Sequence, residues 1–400
     1  MTPAEGLASA RSLAGYSQED VATALGVSRA MISYWESGPR LPNDRQAAAL
    51  ARLYRVSVPV LLGEEEPAPD GDVAVMLLRS AGTAAPPSAL PGLRDFVEFL
   101  DKYAALAQVM QTNIHALRQS PFVTSVGFDT TDDARRKAEE VRAHLRLGVG
   151  PVGDVDWVCD LLGITVYRAP LGEDLSRAPS GAFLNHAEIG FSILVNLQMT
   201  PGRRRFTIAH EVGHALFHSN ESRYVVSRPD GGPRERFADA FAGEFLMPTE
   251  GIRRLLEQHS IGPRVTDPAD VILLQRYFRV SYATALVRLR QARLISQGQY
   301  EEFKAVRPVI LAQALGYSLD DDDFAQDTDA WRITRFPRRF LLLLRSAILR
   351  QEITIPSAAE LTGLTIDEVA EFVAEELRNS PLSETSEFTE FEATRVAGVR

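Results

Sequence analysis

Cysteine is almost missing from this sequence: Cys159 stands alone in 400 residues. One thiol closes no internal disulfide and builds no cysteine-based metal cluster, so a cytoplasmic protein is expected. Long apolar runs are lacking too. The densest, Phe340 to Leu344, is closed by arginines on both sides and falls far short of the roughly 20 residues that span a membrane. At the N-terminus, Glu5 and its polar neighbours interrupt any charged-then-apolar leader pattern. A basic surplus is absent as well. The net charge of −10 excludes a whole-surface grip on nucleic acid, so any DNA contact has to come from a local patch. No internal repeat of fixed period is visible.

What remains is ordinary globular material, with 45% apolar and 24% charged residues. Its length implies two or three domains. Residues 1–63 read as short helices separated by turn signals. Residues 64–91 hold Glu64-Glu65-Glu66 and five prolines, Pro67, Pro69, Pro86, Pro87 and Pro91, and read as a linker around the apolar patch Val73 to Leu78. In the connecting region 92–130, apolar residues recur at helical spacing through Leu93, Phe96, Val97, Leu100, Tyr103, Leu106, Val109 and Met110, predicting one long helix over 93–117. Its apolar side would pack either on its own chain or on a second copy. Residues 131–305 begin with a helix over 134–147, followed by strand-like pieces at 164–167, 182–184 and 190–196. Thr200-Pro201 opens a helix, Pro233 opens the next and Pro248 closes it. Residues 306–400 read as helical with a polar, acidic tail from Asn379. The expected fold class is mainly α with a small β-sheet.

The segment Ala209-His210-Glu211-Val212-Gly213-His214 carries an H-E-x-x-H pattern. Residues four apart share a helix face, so both imidazoles can reach one zinc ion, with Glu211 beside them to take a proton from bound water. Phe206, Ala209, Val212, Leu216 and Phe217 give the same helix an apolar face, as a buried site requires. A third ligand is needed, and Glu235 on the next helix is the candidate, with Glu244 behind it. Asp239, four residues past Glu235, can accept the far N–H of a ligand histidine. His218 lies one turn too far for the same ion and is expected to support the site instead. Tyr224 is a candidate donor to a developing oxyanion, though a surface tyrosine explains it as well. The stretch 193–196 reads as an exposed edge strand able to align an extended peptide.

Those residues carry a resemblance. The run from Gly202 to His218, joined with Glu235 to Pro248, resembles the ImmA/IrrE family of metallopeptidases, and the likeness extends over roughly residues 131–300. The resemblance implies a zinc-dependent protease that cuts helix-turn-helix repressors, with His210, His214 and Glu235 as ligands and Glu211 as base. Manganese is an alternative metal.

Residues 7–62 have the layout of a compact DNA-binding module. Ser17 caps one helix, Gly26 supplies a sharp turn, and Ser28 caps the helix Arg29 to Glu36, with Ile32 and Trp35 facing inwards. The order resembles the XRE family of phage-repressor-like helix-turn-helix domains. In such modules the second helix enters the major groove of an operator, and dimers bind two-fold sites. Arg29, Ala30, Ser33 and Tyr34 are therefore candidates for base edges. Gln18, Ser28, Arg40 and Asn43 are candidates for the backbone of double-stranded DNA. Six arginines face five acids over residues 1–63, which is only weakly basic.

Ala358 to Thr365, followed by Ile366 to Leu377, repeats this punctuation, but Asp367, Glu368, Glu371, Glu375 and Glu376 would repel phosphates. That region reads as a packing or partner-binding module. The leading expectation is a homodimeric regulator joining a DNA reader to a peptidase that cuts a repressor or a copy of itself. The rival is a non-cleaving transcription factor or antitoxin-like binder whose peptidase-like domain serves as sensor or scaffold.

Overall fold

Polar caps and left-handed glycines divide the N-terminal region into helices. The computed structural model describes residues 2–64 apart from 15 and 55, 87–112, 122, 130–218 apart from 173 and 175–177, 224–226, 232–318 and 331–379. Helices α1 (Pro3–Leu13), α2 (Gln18–Leu25), α3 (Arg29–Ser37), α4 (Asp44–Tyr54) and α5 (Val58–Leu61) come first. Ser17 and Asp20 form a reciprocal capping box at the start of α2, and Gly26, at φ 65°, ends it. The Ser28 side chain then accepts from the Met31 N–H to open α3. Leu7, Val21, Ile32, Trp35, Leu50, Tyr54 and Leu61 close a small core between these helices.

Helix α6 (Leu90–Val109) is shorter than the 93–117 expected. Gln111 turns to φ 50°, a left-handed conformation that an α-helix does not pass through. Residues 113–117 lie outside the described residues. Leu93, Phe96, Val97, Leu100, Tyr103 and Leu106 are all buried, so this part of the apolar side of α6 is covered by its own chain, while Val109 near its end is exposed.

Next come α7 (Thr131–His144), α8 (Val155–Leu161) and the strands β1 (Thr165–Ala169), β2 (Gly181–His186) and β3 (Gly190–Asn196). Helix α9 (Pro201–Phe217), strand β4 (Tyr224–Val226) and helix α10 (Pro233–Leu246) follow. The sheet runs β1-β3-β2-β4, with β1 parallel to β3 and the remaining pairs antiparallel. β3 is therefore a central strand, paired on both sides and buried at all seven positions. The expectation of an exposed edge at 193–196 is corrected, because those backbone groups are already spent on β1 and β2. The outer strands are β1 and β4.

Alternation along the strands sends side chains to two covers. Val166, Phe183, Ile193 and Val195 join the core that holds Ile208 and Val212 of α9. Tyr167 instead stacks on Phe99 of α6, with ring centroids 4.5 Å apart and planes at 12°. Helices α11 (Thr249–Gln258), α12 (Pro268–Phe278), α13 (Tyr282–Gln291), α14 (Gln297–Lys304) and α15 (Pro308–Ala314) complete the main core, and α16 (Trp331–Thr334) follows.

The chain divides into two compact units, residues 1–105 with 113–338 and residues 106–112 with 339–400. In the second, α17 (Arg338–Leu349), α18 (Ile355–Thr362) and α19 (Ile366–Asn379) bury Phe340, Leu343, Leu344, Ala358 and Val369. Gly363 at φ 69° makes the turn between α18 and α19. Among the described residues, no helix is long and apolar enough to cross a membrane.

Candidate metal centre and nucleic-acid interface

Helices α9 and α10 lie together because aromatic rings interlock between them. Phe217 of α9 meets Phe237 and Phe241 of α10 edge-on, with centroids 5.6 and 5.5 Å apart. Each buried ring contributes about 1.5–3 kcal/mol by leaving water. That contact fixes which faces oppose. His210 and His214 stand one turn apart on α9, and Glu235 in the first turn of α10 reaches both.

The three side chains converge on one point. His210 Nε2 lies 3.1 Å from His214 Nε2 and 3.1 Å from Glu235 Oε2, and His214 Nε2 lies 3.3 Å from Glu235 Oε1. Bonds of about 2.0–2.2 Å to one tetrahedral zinc ion put ligand atoms roughly 3.3–3.6 Å apart, and the three residues each offer one ligand atom within 4.8 Å of the others, so this set can hold such an ion. Two imidazole nitrogens and one carboxylate also match the N/O chemistry that zinc accepts. Among the described residues, this is the group of three that could hold a metal.

The far ring nitrogens are engaged as well. His210 Nδ1 is 2.9 Å from Asp239 Oδ1, and His214 Nδ1 is 2.9 Å from His218 Nδ1. Burial and the neighbouring His214 push His218 down to about 3, so it stays neutral near pH 7 and its Nδ1 can accept from His214. Burial works against the charged form of His210. Hydrogen bonds to Asp239 and Glu235, together with the charge of Glu211, outweigh that and raise it to about 10. Glu235 moves the other way, to about 2: burial opposes ionisation, but hydrogen bonds from His210 and His214 prevail. The acidic groups around His210 thus favour positive charge at the point where the three side chains meet. Glu211 is wholly buried on the side of α9 that faces β2.

Two other candidates fall differently. Glu244, the alternative third ligand, does not reach the histidines. Its carboxylate instead takes Arg288 Nη2 at 2.6 Å and the Thr249 N–H at 2.7 Å. This clasp joins residues 44 apart in sequence, and no local pattern announces it. Tyr224 opens β4, opposite Leu184 of β2, and its side chain lies outside the described residues.

In the N-terminal module, Arg29, Ala30, Ser33 and Tyr34 are all exposed on α3, Tyr34 at 55%. Arg40 is exposed too. Ser28 and Asn43 are occupied with capping: Asn43 Oδ1 accepts the Gln46 N–H at 2.9 Å. Gln18 donates to Glu36 Oε2 at 3.0 Å. That carboxylate also receives a two-pronged bridge from Arg11, at 2.5 and 2.9 Å, which ties α1 to the back of α3. Sequence reasoning missed Arg11 and Glu36, since a pair 25 residues apart leaves no periodic trace.

The helix pair around His210, His214 and Glu235 lies within a stretch with known relatives. Residues 159–290 match a peptidase family model, the IrrE N-terminal-like domain. Residues 7–61 match a second family model, described as helix-turn-helix. No curated protein matches the chain significantly. Residues 7–61 are thus similar to a helix-turn-helix family and residues 159–290 to the IrrE N-terminal-like domain, and the convergent triad falls inside the latter stretch.

Proposed function

We propose that this chain is a DNA-binding regulator whose IrrE N-terminal-like domain is a zinc-dependent endopeptidase, cutting a helix-turn-helix repressor or a copy of itself. The observation that carries this reading is the convergence of His210, His214 and Glu235 within reach of one ion, with Glu211 buried on the same helix. When bound, zinc would lower the pKa of a water towards 7 and polarise the scissile carbonyl.

The protein's own groups do the rest. Glu211 takes the proton of the attacking water and returns it to the leaving amine. Asp239 holds His210 in one tautomer and orientation, and His218 does the same for His214. Tyr224 would supply a hydrogen bond to the oxyanion, and the outer strand β4 would align an extended substrate by backbone pairing. In the head, Arg29, Ala30, Ser33 and Tyr34 would read base edges, while Ser28, Arg40, Gln18 and Asn43 hold the DNA backbone. Two copies would share a two-fold operator.

The test compares zinc-loaded wild type with Glu211→Gln on a panel of purified helix-turn-helix repressors and on the chain itself. The variant should keep its zinc and lose about 10²–10⁴-fold in turnover. A zinc-loaded wild type that leaves every one of these proteins as intact as the variant does would end the enzyme reading.

A further inference from the structure

Glu211 is wholly buried, at 0% exposed. What covers it is the opening residue of a strand. A Cβ built on Gly181 would stand 3.3 Å from Glu211 Oε1, 2.7 Å from Thr207 Cγ2 and 2.7 Å from the Leu194 carbonyl oxygen. Thr207 lies one turn before Glu211, so the backbone of β2 presses directly on that side of α9 at both positions. Two residues further along the same face of β2, Phe183 puts a whole ring into the core that also holds Ile208 and Val212 of α9. The separation between sheet and helix is thus set by an aromatic side chain at one end and by hydrogen alone at the other. The carboxylate stands at the narrow end.

We propose that Gly181 is the positioning residue for Glu211. By having no side chain it lets β2 close on α9, and the strand backbone becomes the wall that holds the carboxylate in its working place beside the ligand histidines. This inference rests on the assignment of Glu211 as the base. The three nearest atoms to a Cβ at Gly181 include none from His210, His214 or Glu235, so changing it should leave metal uptake alone while moving the base. A glycine serving only the fold would behave otherwise: its replacement would lower stability and leave turnover per bound metal unaltered.

The experiment uses the full chain as Gly181→Ala beside wild type, Glu211→Gln and Gly243→Ala. Gly243 is the crowding control, because a Cβ there meets Arg288 Cδ at 2.5 Å on the far part of α10. Each protein is loaded with cobalt, which takes tetrahedral zinc sites and reports on its surroundings through visible absorption, and separately with zinc for hydrolysis. Gly181→Ala should bind one metal ion as wild type does and shift the cobalt spectrum as Glu211→Gln does. Its kcat should fall about 10²-fold with KM unchanged, as a displaced catalytic group predicts. Gly243→Ala should keep the wild-type spectrum and the wild-type kcat per bound zinc.

A cobalt spectrum for Gly181→Ala that matches wild type overturns the inference, and this readout does not need the enzyme to be active. If Gly181→Ala fails to fold, Thr207→Ala takes its place, since it leaves the strand intact and loosens the same wall. A wild-type spectrum in that variant overturns the inference equally. Wild type that binds cobalt, responds spectrally to Gly181→Ala and cuts nothing would instead remove the peptidase reading and keep the positioning role.

Discussion

Helix α3, nine residues long, sends Arg29, Ala30, Ser33 and Tyr34 into solvent and rests on Ile32 and Trp35. Helix α9, at seventeen residues, buries everything from Thr207 onward, including His210, Glu211 and His214. The reading helix separates its duties: one face folds and the other is available to a ligand. The metal helix cannot, because its functional groups are also interior polar groups that must be satisfied inside the protein. It follows that substitutions on the reader should cost binding and spare the fold. Substitutions at the metal centre should disturb the ligand set and the packing together.

The largest expected effect tests whether the two regions are independent. Glu235→Ala removes the carboxylate that reaches both imidazoles, and stoichiometric zinc uptake should disappear in elemental analysis. Operator affinity measured on the same preparation should stay at the wild-type value. Loss of both would mean that metal holds the reader in shape, and the comparison would have to be abandoned.

Arg288→Met sharpens the same contrast on the stability side. Arg288 is 1% exposed and pairs with Glu244, itself 2% exposed, while also donating to the Met247 carbonyl just past α10. Truncating it strands a buried carboxylate, and the expected loss is about 3–5 kcal/mol in denaturant unfolding. Adding Glu244→Gln should recover part of that loss. A single variant as stable as wild type would show that the clasp is dispensable.

Much of this contrast could be read from the sequence, for reasons that differ by element. The four-residue spacing of His210 and His214, the opening prolines of α9 and α10, and the caps at Ser17 and Ser28 are local signals, and helices obey local signals. A small sheet within a mainly helical fold was also legible. The place of β3 inside it was not. With both faces covered, Ile193, Leu194 and Val195 form an unbroken apolar run, which reveals burial but not which strands lie alongside. The periodicity of α6 likewise predicted a buried stripe without naming Tyr167 as its partner. Arg288 with Glu244 and Arg11 with Glu36 escaped altogether, because pairing across tens of residues is written only in the folded chain.

A smaller effect is expected on the reader. Arg29→Ala should weaken specific operator binding by about 1–3 kcal/mol, the range for one side chain at a base edge. Unfolding midpoint and zinc content should not move, since Arg29 is exposed and outside the core. Binding to unrelated DNA that falls just as much would reassign Arg29 to the phosphate backbone.

The gentlest way to separate the regions is pH. His210 is raised from about 6.5 to about 10 in the metal-free protein, against the pull of burial, by Asp239, Glu235 and Glu211. Because its folded value is the higher one, its contribution to stability is fully present below about 6.5 and is lost as pH rises through about 10. A metal ion needs the His210 nitrogen bare, so between about pH 7 and 9 uptake should release close to one proton per ion from this residue. Apparent zinc affinity should then climb about tenfold per pH unit, or 1.4 kcal/mol, and level off above about 10. Calorimetry in buffers of different ionisation heat counts that proton. Operator binding uses none of the metal-site groups and should stay flat over the same interval. A flat metal affinity with no proton released would mean that His210 is already neutral in the metal-free site, with its Nδ1 proton donated to Asp239 and Nε2 presenting a lone pair.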